Sequence, residues 1–216
     1  MNRFPRIGFL LAALGGFLLF TNIQPLHAQT KPGRVSLGLR STVSLFNHNE
    51  ASPGTGVGGQ FRIQLLKRLN TEWFADYLTS KVSVGTSRRD YHIGWSVMYY
   101  LTDPMDFQKR ITPYALAGHC FDYTQIRIHT EENKLIEASA PSFRWTSAIQ
   151  AGLGTHLNIS PRFDCSLSAQ YMMHFGKHLH VEELTDRVRI YREDHGGLEG
   201  HLLITLSASY KFGRRS

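Results

Sequence analysis

Apolar and polar residues alternate along most of the chain, and no long stretch repeats its apolar residues every three or four positions. Every second residue is apolar or aromatic from Tyr91 to Leu101, from Phe163 to Phe175 and from Leu202 to Phe212. A period of two is typical of β-strands, whose successive side chains point to opposite faces of a sheet. The pattern therefore predicts long strands, each with one apolar face and one more polar face.

Five further segments alternate less regularly, at residues 35–46, 57–65, 72–77, 114–123 and 145–159. The connectors between segments contain the Asn, Asp, Ser, Pro and Gly residues that favour turns. Two connectors are long, at residues 124–142 and 176–197, and their partial alternation predicts strands that extend beyond the barrel wall. Eight long strands joined in this way predict an all-β fold, an eight-stranded antiparallel up-and-down transmembrane β-barrel.

Two classes of protein use such a barrel, and they differ in which face is apolar. A soluble, lipocalin-like carrier has its apolar residues inside, whereas an outer-membrane barrel has them outside. The polar faces here are rich in Gly, Ser, Ala and Gln with scattered charges, which suits a narrow lumen better than a soluble surface. We therefore expect an outer-membrane barrel and keep the secreted carrier as the alternative. The aromatic residues near the strand ends are expected to form interface girdles: Trp73, Tyr91, Tyr114, Trp145, Phe163, Tyr210 and Phe212.

Charged residues on the polar faces should lie in the lumen and pair with one another there. An eight-stranded barrel is just wide enough for side chains to fill its interior, so we expect these residues to lock the structure and not to line an open pore. The predicted lumen network consists of Arg40, Arg62, Glu72, Asp76, Arg144 and Asp164.

The first 28 residues have the layout of a secretory signal peptide. Arg3 and Arg6 precede an uncharged apolar run of 14 residues from Ile7 to Phe20, and a polar stretch then leads to Ala28. As a helix this run is about 21 Å long, short of a hydrocarbon core of roughly 30 Å. We expect cleavage after Ala28, with an uncleaved anchor as the alternative, and a single barrel domain at residues 29–216.

Net charge, mean hydropathy and the two cysteines limit the classes of protein to which the chain can belong. Removing Arg3 and Arg6 leaves 22 basic and 17 acidic residues, a formal charge of +5, which gives no case for nucleic-acid binding. A mean hydropathy of −0.25 argues against a bundle of membrane-spanning helices. Cys120 and Cys165 are placed too far apart for a disulfide, and we expect two free, lipid-facing thiols.

Three segments carry a resemblance to a known family: Thr112–Gly118, Gln150–Gly154 and the closing Tyr210-Lys211-Phe212. They are similar to small outer-membrane β-barrel proteins of the OmpA-transmembrane-domain/OmpX-like kind. The resemblance implies export to the bacterial outer membrane, contact with its lipids including lipopolysaccharide, and a monomer. It also implies that Tyr210 and Phe212 form the signal recognised by the barrel-assembly machinery, although Ser207 replaces the usual Gly and four residues follow Phe212. With both termini in the periplasm, the two long connectors face outward.

Candidate chemistry is sparse, and we expect no cofactor. His178, His180 and Glu182 are weak candidate metal ligands in a histidine-rich connector, near His174 and His201. A lipid A-modifying activity could use His119, Asp122 or His174 with one of several serines, but no ordered triad spacing is visible. The third possibility is that basic residues of the connectors pair with lipopolysaccharide phosphates. We therefore expect a non-enzymatic barrel with a structural or surface-interaction role through its outer loops.

Overall fold

The computed structural model describes residues 35–46, 52–83, 86–104, 110–128, 135–138, 142–175, 179–183, 187–192 and 198–212. The elements formed by these residues are all β-strands, and no helix among them is long and apolar enough to span a membrane. The predicted signal peptide lies outside the described residues. The strands are β1 (Val35–Phe46), β2 (Gly54–Leu66), β3 (Leu69–Ser83), β4 (Thr86–Tyr100), β5 (Ile111–Ile128), β6 (Leu135–Ala138), β7 (Phe143–Ser160), β8 (Phe163–Phe175), β9 (Leu179–Glu183), β10 (Arg187–Arg192) and β11 (Leu198–Phe212).

Eight of these strands close into a barrel in the order β1-β11-β8-β7-β5-β4-β3-β2, and every neighbouring pair is antiparallel. The first and last strands close it, with Val35 opposite Phe212 and Leu45 opposite Leu202. The shortest strand of the barrel, β1, has 12 residues. At about 3.3 Å per residue and a tilt of roughly 40°, 12 residues rise about 30 Å, enough to cross the ~25 Å apolar band of an outer-membrane barrel. The predicted eight-stranded up-and-down barrel is confirmed.

The two ends of the barrel differ in the length of their connectors. At one end, called here the terminal end, lie both ends of the barrel sequence and the connections from β2 to β3, from β4 to β5 and from β7 to β8. The opposite end, called the loop end, includes the two long connectors. The predicted strand extension into these connectors is observed, because β6 pairs in parallel with β10 and β9 pairs with β10 antiparallel. Backbone pairing thus joins the β5–β7 connector to the β8–β11 connector in one three-stranded sheet.

Side chains alternate between the outside and the interior of the barrel as the sequence pattern predicts. In β4 the buried and exposed classes alternate strictly from Asp90 to Tyr100, with the polar His92 and Ser96 buried and Tyr91, Ile93 and Trp95 outside. Along the outer surface, Tyr77, Tyr91, Tyr123 and Trp145 form a continuous aromatic row across β3, β4, β5 and β7, with successive ring centroids 5.1, 5.9 and 4.7 Å apart. The apolar face is therefore outward.

Strand β5 contradicts two predictions. Tyr114 was expected in an outer girdle and Cys120 on the lipid side, but both are buried in the interior, at 3% and 0% exposure. The reason is that β5 has apolar residues on both faces, and the carboxylate of Asp122 fixes which face turns inward. Both cysteines are free as predicted, and Cys165, which alternates with the buried Asp164 and Ser166, faces outward.

Candidate functional site

The interior of the barrel is the candidate site, and its terminal end is held by a cluster of four residues called here the terminal cluster. Arg62 of β2 contacts Asp164 of β8 at 2.7 Å (Nη2 to Oδ1), and Lys211 of β11 approaches the other oxygen of Asp164 at 2.9 Å. His156 of β7 completes the cluster and accepts a hydrogen bond from Arg62 Nη1. The carboxylate thus joins three strands that are distant in sequence, and its side chain is only 1% exposed.

A second ion-paired group, the central cluster, lies further along the interior. Arg40 of β1 is 3.4 Å from Glu72 Oε1 and 3.1 Å from Asp76 Oδ1, both on β3, and its guanidinium lies 4.4 Å from the centre of the Phe74 ring. Gly58 of β2 leaves room for this arrangement, because a Cβ at that position would overlap the Asp76 carboxylate. The central cluster is therefore packed as closely as a protein core.

An apolar layer lies across the interior next to the central cluster. It contains six residues from five strands, and none of them is more than 5% exposed: Phe74, Leu78, Cys120, Ala148, Met172 and Leu203. At the terminal end a small pocket of about 40 Å³ lies beside Arg62, Tyr100 and His156. A space of this size holds one or a few waters, not a solute of the size that carriers bind.

A histidine cluster occupies the interior toward the loop end. His92 of β4, His174 of β8 and His201 of β11 are each 1% exposed, and each offers a ring nitrogen within 4.8 Å of the others. His174 Nε2 and His201 Nε2 are 2.7 Å apart, so one donates a hydrogen bond to the other. Asp122 of β5 lies 3.4 Å from His92 Nε2 and 3.3 Å from His174 Nδ1. We define the histidine cluster as these four residues.

The residues predicted for the lumen network all lie inside the barrel and are at most 8% exposed: Arg40, Arg62, Glu72, Asp76, Arg144 and Asp164. Five of them fall into the two ion-paired clusters. Arg144 lies apart from both, on β7 opposite Thr124. Tyr210 and Phe212, the predicted assembly signal, are on the outer surface with ring centroids 5.0 Å apart.

The predicted metal ligands are outside the part of the chain whose side chains the structure describes. His178 lies outside the described residues, and for His180 and Glu182 the structure describes only their backbone in β9. Of the residues considered for catalysis, His174 and Asp122 meet in the histidine cluster, whereas His119 is on the outer side of β5 beside Ser147. His119 Nε2 and Ser147 Oγ are 2.6 Å apart.

Sequence reasoning did not bring His92 and Asp122 together with His174 and His201. The signal was present in part, since His92 and His201 both alternate with outward apolar residues and were therefore inward positions. No spacing rule joins residues on β4, β5, β8 and β11, because their proximity depends on the closure of the barrel.

Comparison with known proteins defines the class of fold. No protein-family model matches the sequence, and no curated protein matches it either. Among solved structures, a major outer membrane protein from Thermus thermophilus has a TM-score of 0.52 at 12% identity, covering 82% of this chain and 99% of that chain. The outer membrane protein OprG from Pseudomonas aeruginosa has a TM-score of 0.50 at 13% identity, covering 85% and 98% respectively. The chain thus has the fold of the small eight-stranded outer-membrane β-barrels.

Proposed function

We propose that this protein is an integral protein of the bacterial outer membrane, exported with a cleaved signal peptide, with a closed barrel that presents its outer loops at the surface. The observation that carries the proposal is the distribution of side chains between the two faces. Leu39, Leu153 and Leu206 are 76%, 66% and 59% exposed on the outside, whereas charged residues fill the inside. A soluble protein rarely exposes so large an apolar surface, but lipid covers it without cost.

The packing of the interior supports a barrel that conducts no ions. The apolar layer fills part of the lumen with side chains that are almost fully buried, and Arg40 and Asp76 of the central cluster are held in an ion pair. In planar bilayers we expect no stable conductance from the refolded protein. Stable unitary currents that persist after repurification would contradict this part of the proposal.

The outer loops are proposed to contact the lipopolysaccharide around the barrel. Strand β10 contains Arg187, Arg189 and Arg192, and it is the middle strand of the three-stranded sheet that links the two long connectors. Guanidinium groups bind phosphate strongly because they donate two parallel hydrogen bonds. Replacing all three arginines with Gln should weaken the binding of lipopolysaccharide micelles to the refolded barrel. Unchanged binding would contradict the proposed contact between the outer loops and lipopolysaccharide.

The location is tested by fractionation combined with a gel shift on heating. We expect the protein in the outer-membrane fraction, as a monomer that migrates faster before boiling than after boiling. Insertion should depend on the barrel-assembly machinery, with Tyr210 and Phe212 as part of the recognised strand. Recovery in the soluble periplasmic fraction would contradict the proposal and favour the secreted carrier.

One observation favours a second function, a lipid A-modifying enzyme. The His119–Ser147 pair is on the outward side of the barrel, and the His119 ring lies 4.7 Å from the ring of Phe121 on the surface that lipid would cover. A histidine within hydrogen-bond distance of a serine is the minimal arrangement for activating a hydroxyl nucleophile. Mass spectrometry of lipid A from cells with the wild-type protein and with Ser147→Ala decides between the two. Identical spectra support the non-enzymatic function.

A further inference from the structure

The histidine cluster brings together the side chains that transition metals prefer. His92, His174 and His201 approach from three strands, and His92 reaches across the lumen from the strand opposite the other two. We propose that these three imidazoles, together with Asp122, bind one divalent transition-metal ion of the zinc type inside the barrel. Nitrogen-rich ligand sets select Zn²⁺ and its neighbours over Ca²⁺ and Mg²⁺, which require oxygen ligands.

The spacing of the ring nitrogens is close to what such an ion needs. With Zn–N bonds of 2.0–2.1 Å, two nitrogens of a tetrahedral site are about 3.4 Å apart. The distance from His174 Nε2 to His201 Nε2 is 2.7 Å, and all three ligand atoms lie within 4.8 Å of one another. Metal binding therefore replaces one nitrogen–nitrogen hydrogen bond and requires only small rotations of the rings.

A second, independent observation is that the cluster contains buried polar atoms without a hydrogen-bond partner. Both ring nitrogens of His92 and one carboxylate oxygen of Asp122 are fully buried and form no hydrogen bond with any of the described residues. Burying a polar group in this way costs on the order of 2 kcal/mol or more. A cation coordinated by one ring nitrogen of His92 and lying beside Asp122 satisfies that nitrogen and the carboxylate oxygen.

The surroundings of the other two imidazoles match those of metal-binding histidines. Ser44 Oγ lies 2.7 Å from His201 Nδ1, and Asp122 Oδ2 lies 3.3 Å from His174 Nδ1. Both contacts engage Nδ1 and leave the Nε2 atoms directed at each other. A metal-bound imidazole commonly has its second nitrogen held by a carboxylate or another oxygen in this way, which fixes the ring and increases its affinity for the metal.

The charges near the cluster are compatible with a cation. Thr146 donates a hydrogen bond of 3.3 Å to Asp122 Oδ2, and the Asp122 carboxylate lies 3.4 Å from His92 and 3.3 Å from His174. The nearest arginine on β4, Arg88, contacts Asp90 at 3.0 Å, so its positive charge is compensated locally. On the neighbouring strand β3, Asp76 lies opposite His92 and is paired with Arg40 at 3.1 Å.

The test is to refold the full mature chain in detergent with one equivalent of Zn²⁺, remove unbound metal by gel filtration, and count zinc by mass spectrometry. We expect one zinc per folded chain, and a decrease to background in His92→Gln and His174→Gln. The matched control is His156→Gln, a buried lumen histidine in the terminal cluster, which should keep its zinc. Heat-shifted migration on a gel verifies that each variant has folded.

Three results would overturn the proposal: no zinc on the folded wild-type chain, unchanged zinc in His92→Gln, or loss of zinc in a His178→Ala/His180→Ala variant that retains the lumen histidines. If the ligand variants fail to fold, Ser44→Ala replaces them, because it removes the hydroxyl behind His201 and no ligand. We expect Ser44→Ala to weaken Co²⁺ binding by about 10- to 100-fold. The binding is measured by the visible absorption of four-coordinate Co²⁺. Equal affinity in Ser44→Ala would contradict the assigned site.

Discussion

Replacing Asp164 with Asn should destabilise the barrel strongly, because this one carboxylate neutralises two cations of the terminal cluster. Arg62 and Lys211 approach its two oxygens at 2.7 and 2.9 Å, and the side chains of Arg62 and Asp164 are only 3% and 1% exposed. Asparagine has the same shape and preserves the packing, but it leaves a buried guanidinium without its counter-ion. Removing one partner of a buried ion pair costs about 3–5 kcal/mol, and we expect a loss of that size in the free energy of unfolding.

The matched control is the ion pair between Lys67 and Asp103, which has a similar length of 3.0 Å but lies at the surface with the lysine side chain 71% exposed. Lys67→Gln should cost about 0–1 kcal/mol, because water screens exposed pairs. Both variants are unfolded with urea from the same vesicles and followed by tryptophan fluorescence. A loss in Asp164→Asn within about 1 kcal/mol of the Lys67→Gln value would refute the reasoning, which depends on the difference in burial.

Three further predictions concern packing and the orientation of side chains. Gly58→Ala should lower the free energy of unfolding in urea by about 1–3 kcal/mol, because the new Cβ displaces a carboxylate of the central cluster. Gly59→Ala should be near neutral, because its Cβ would meet its nearest atom at 3.8 Å. Equal losses in the two variants would contradict the packing described. Tyr114→Ala should cost about 3–5 kcal/mol, because its ring is buried in the interior; a loss below about 1 kcal/mol would place the ring outside. A detergent-soluble maleimide should label Cys165 in the folded barrel and Cys120 only after denaturation; rapid labelling of both would contradict an inward Cys120.

The sequence predicted the barrel well because the two environments of such a barrel are chemically opposite. A charge such as Arg40 or Asp164 has no stable place on the lipid side, so its position alone fixes the inward face of its strand. Turn residues then fix the strand ends, and an even number of strands closes the sheet without edges. Three strongly alternating segments and five weaker ones were therefore enough to predict the fold.

The prediction was wrong where that chemical contrast is weak. Strand β5 has Tyr114, Leu116 and Cys120 on one face and Ala115, Ala117 and Phe121 on the other, so hydrophobicity does not distinguish the two. The polar residues further along the strand, Asp122 and Thr124, decide which face of β5 turns inward. Tyr114 and Cys120 are on the same face as these two residues, and the prediction did not take this into account.

The histidine cluster shows a different limit of sequence reasoning. The density of histidines around residues 174–201 drew attention to the connector residues His178 and His180, because ligands close in sequence are easy to recognise. Among the described residues, the group that the fold assembles takes His92 from a distant strand and joins it to His174 and His201. Its members meet only because β4 lies across the closed barrel from β8 and β11.

We propose that lipid surrounds the apolar face of the barrel, whose interior is packed with its own side chains. The three tryptophans, Trp73, Trp95 and Trp145, test it directly, since all are on the outer surface at 43%, 39% and 65% exposure. The protein is refolded into vesicles with and without brominated acyl chains, and the loss of tryptophan fluorescence caused by the bromine is measured. A second measurement, in vesicles without bromine, gives the loss caused by acrylamide added to the water. A lipid-covered apolar face predicts strong quenching by the brominated lipid and weak quenching by acrylamide. Strong quenching by acrylamide with none by the brominated lipid would contradict it.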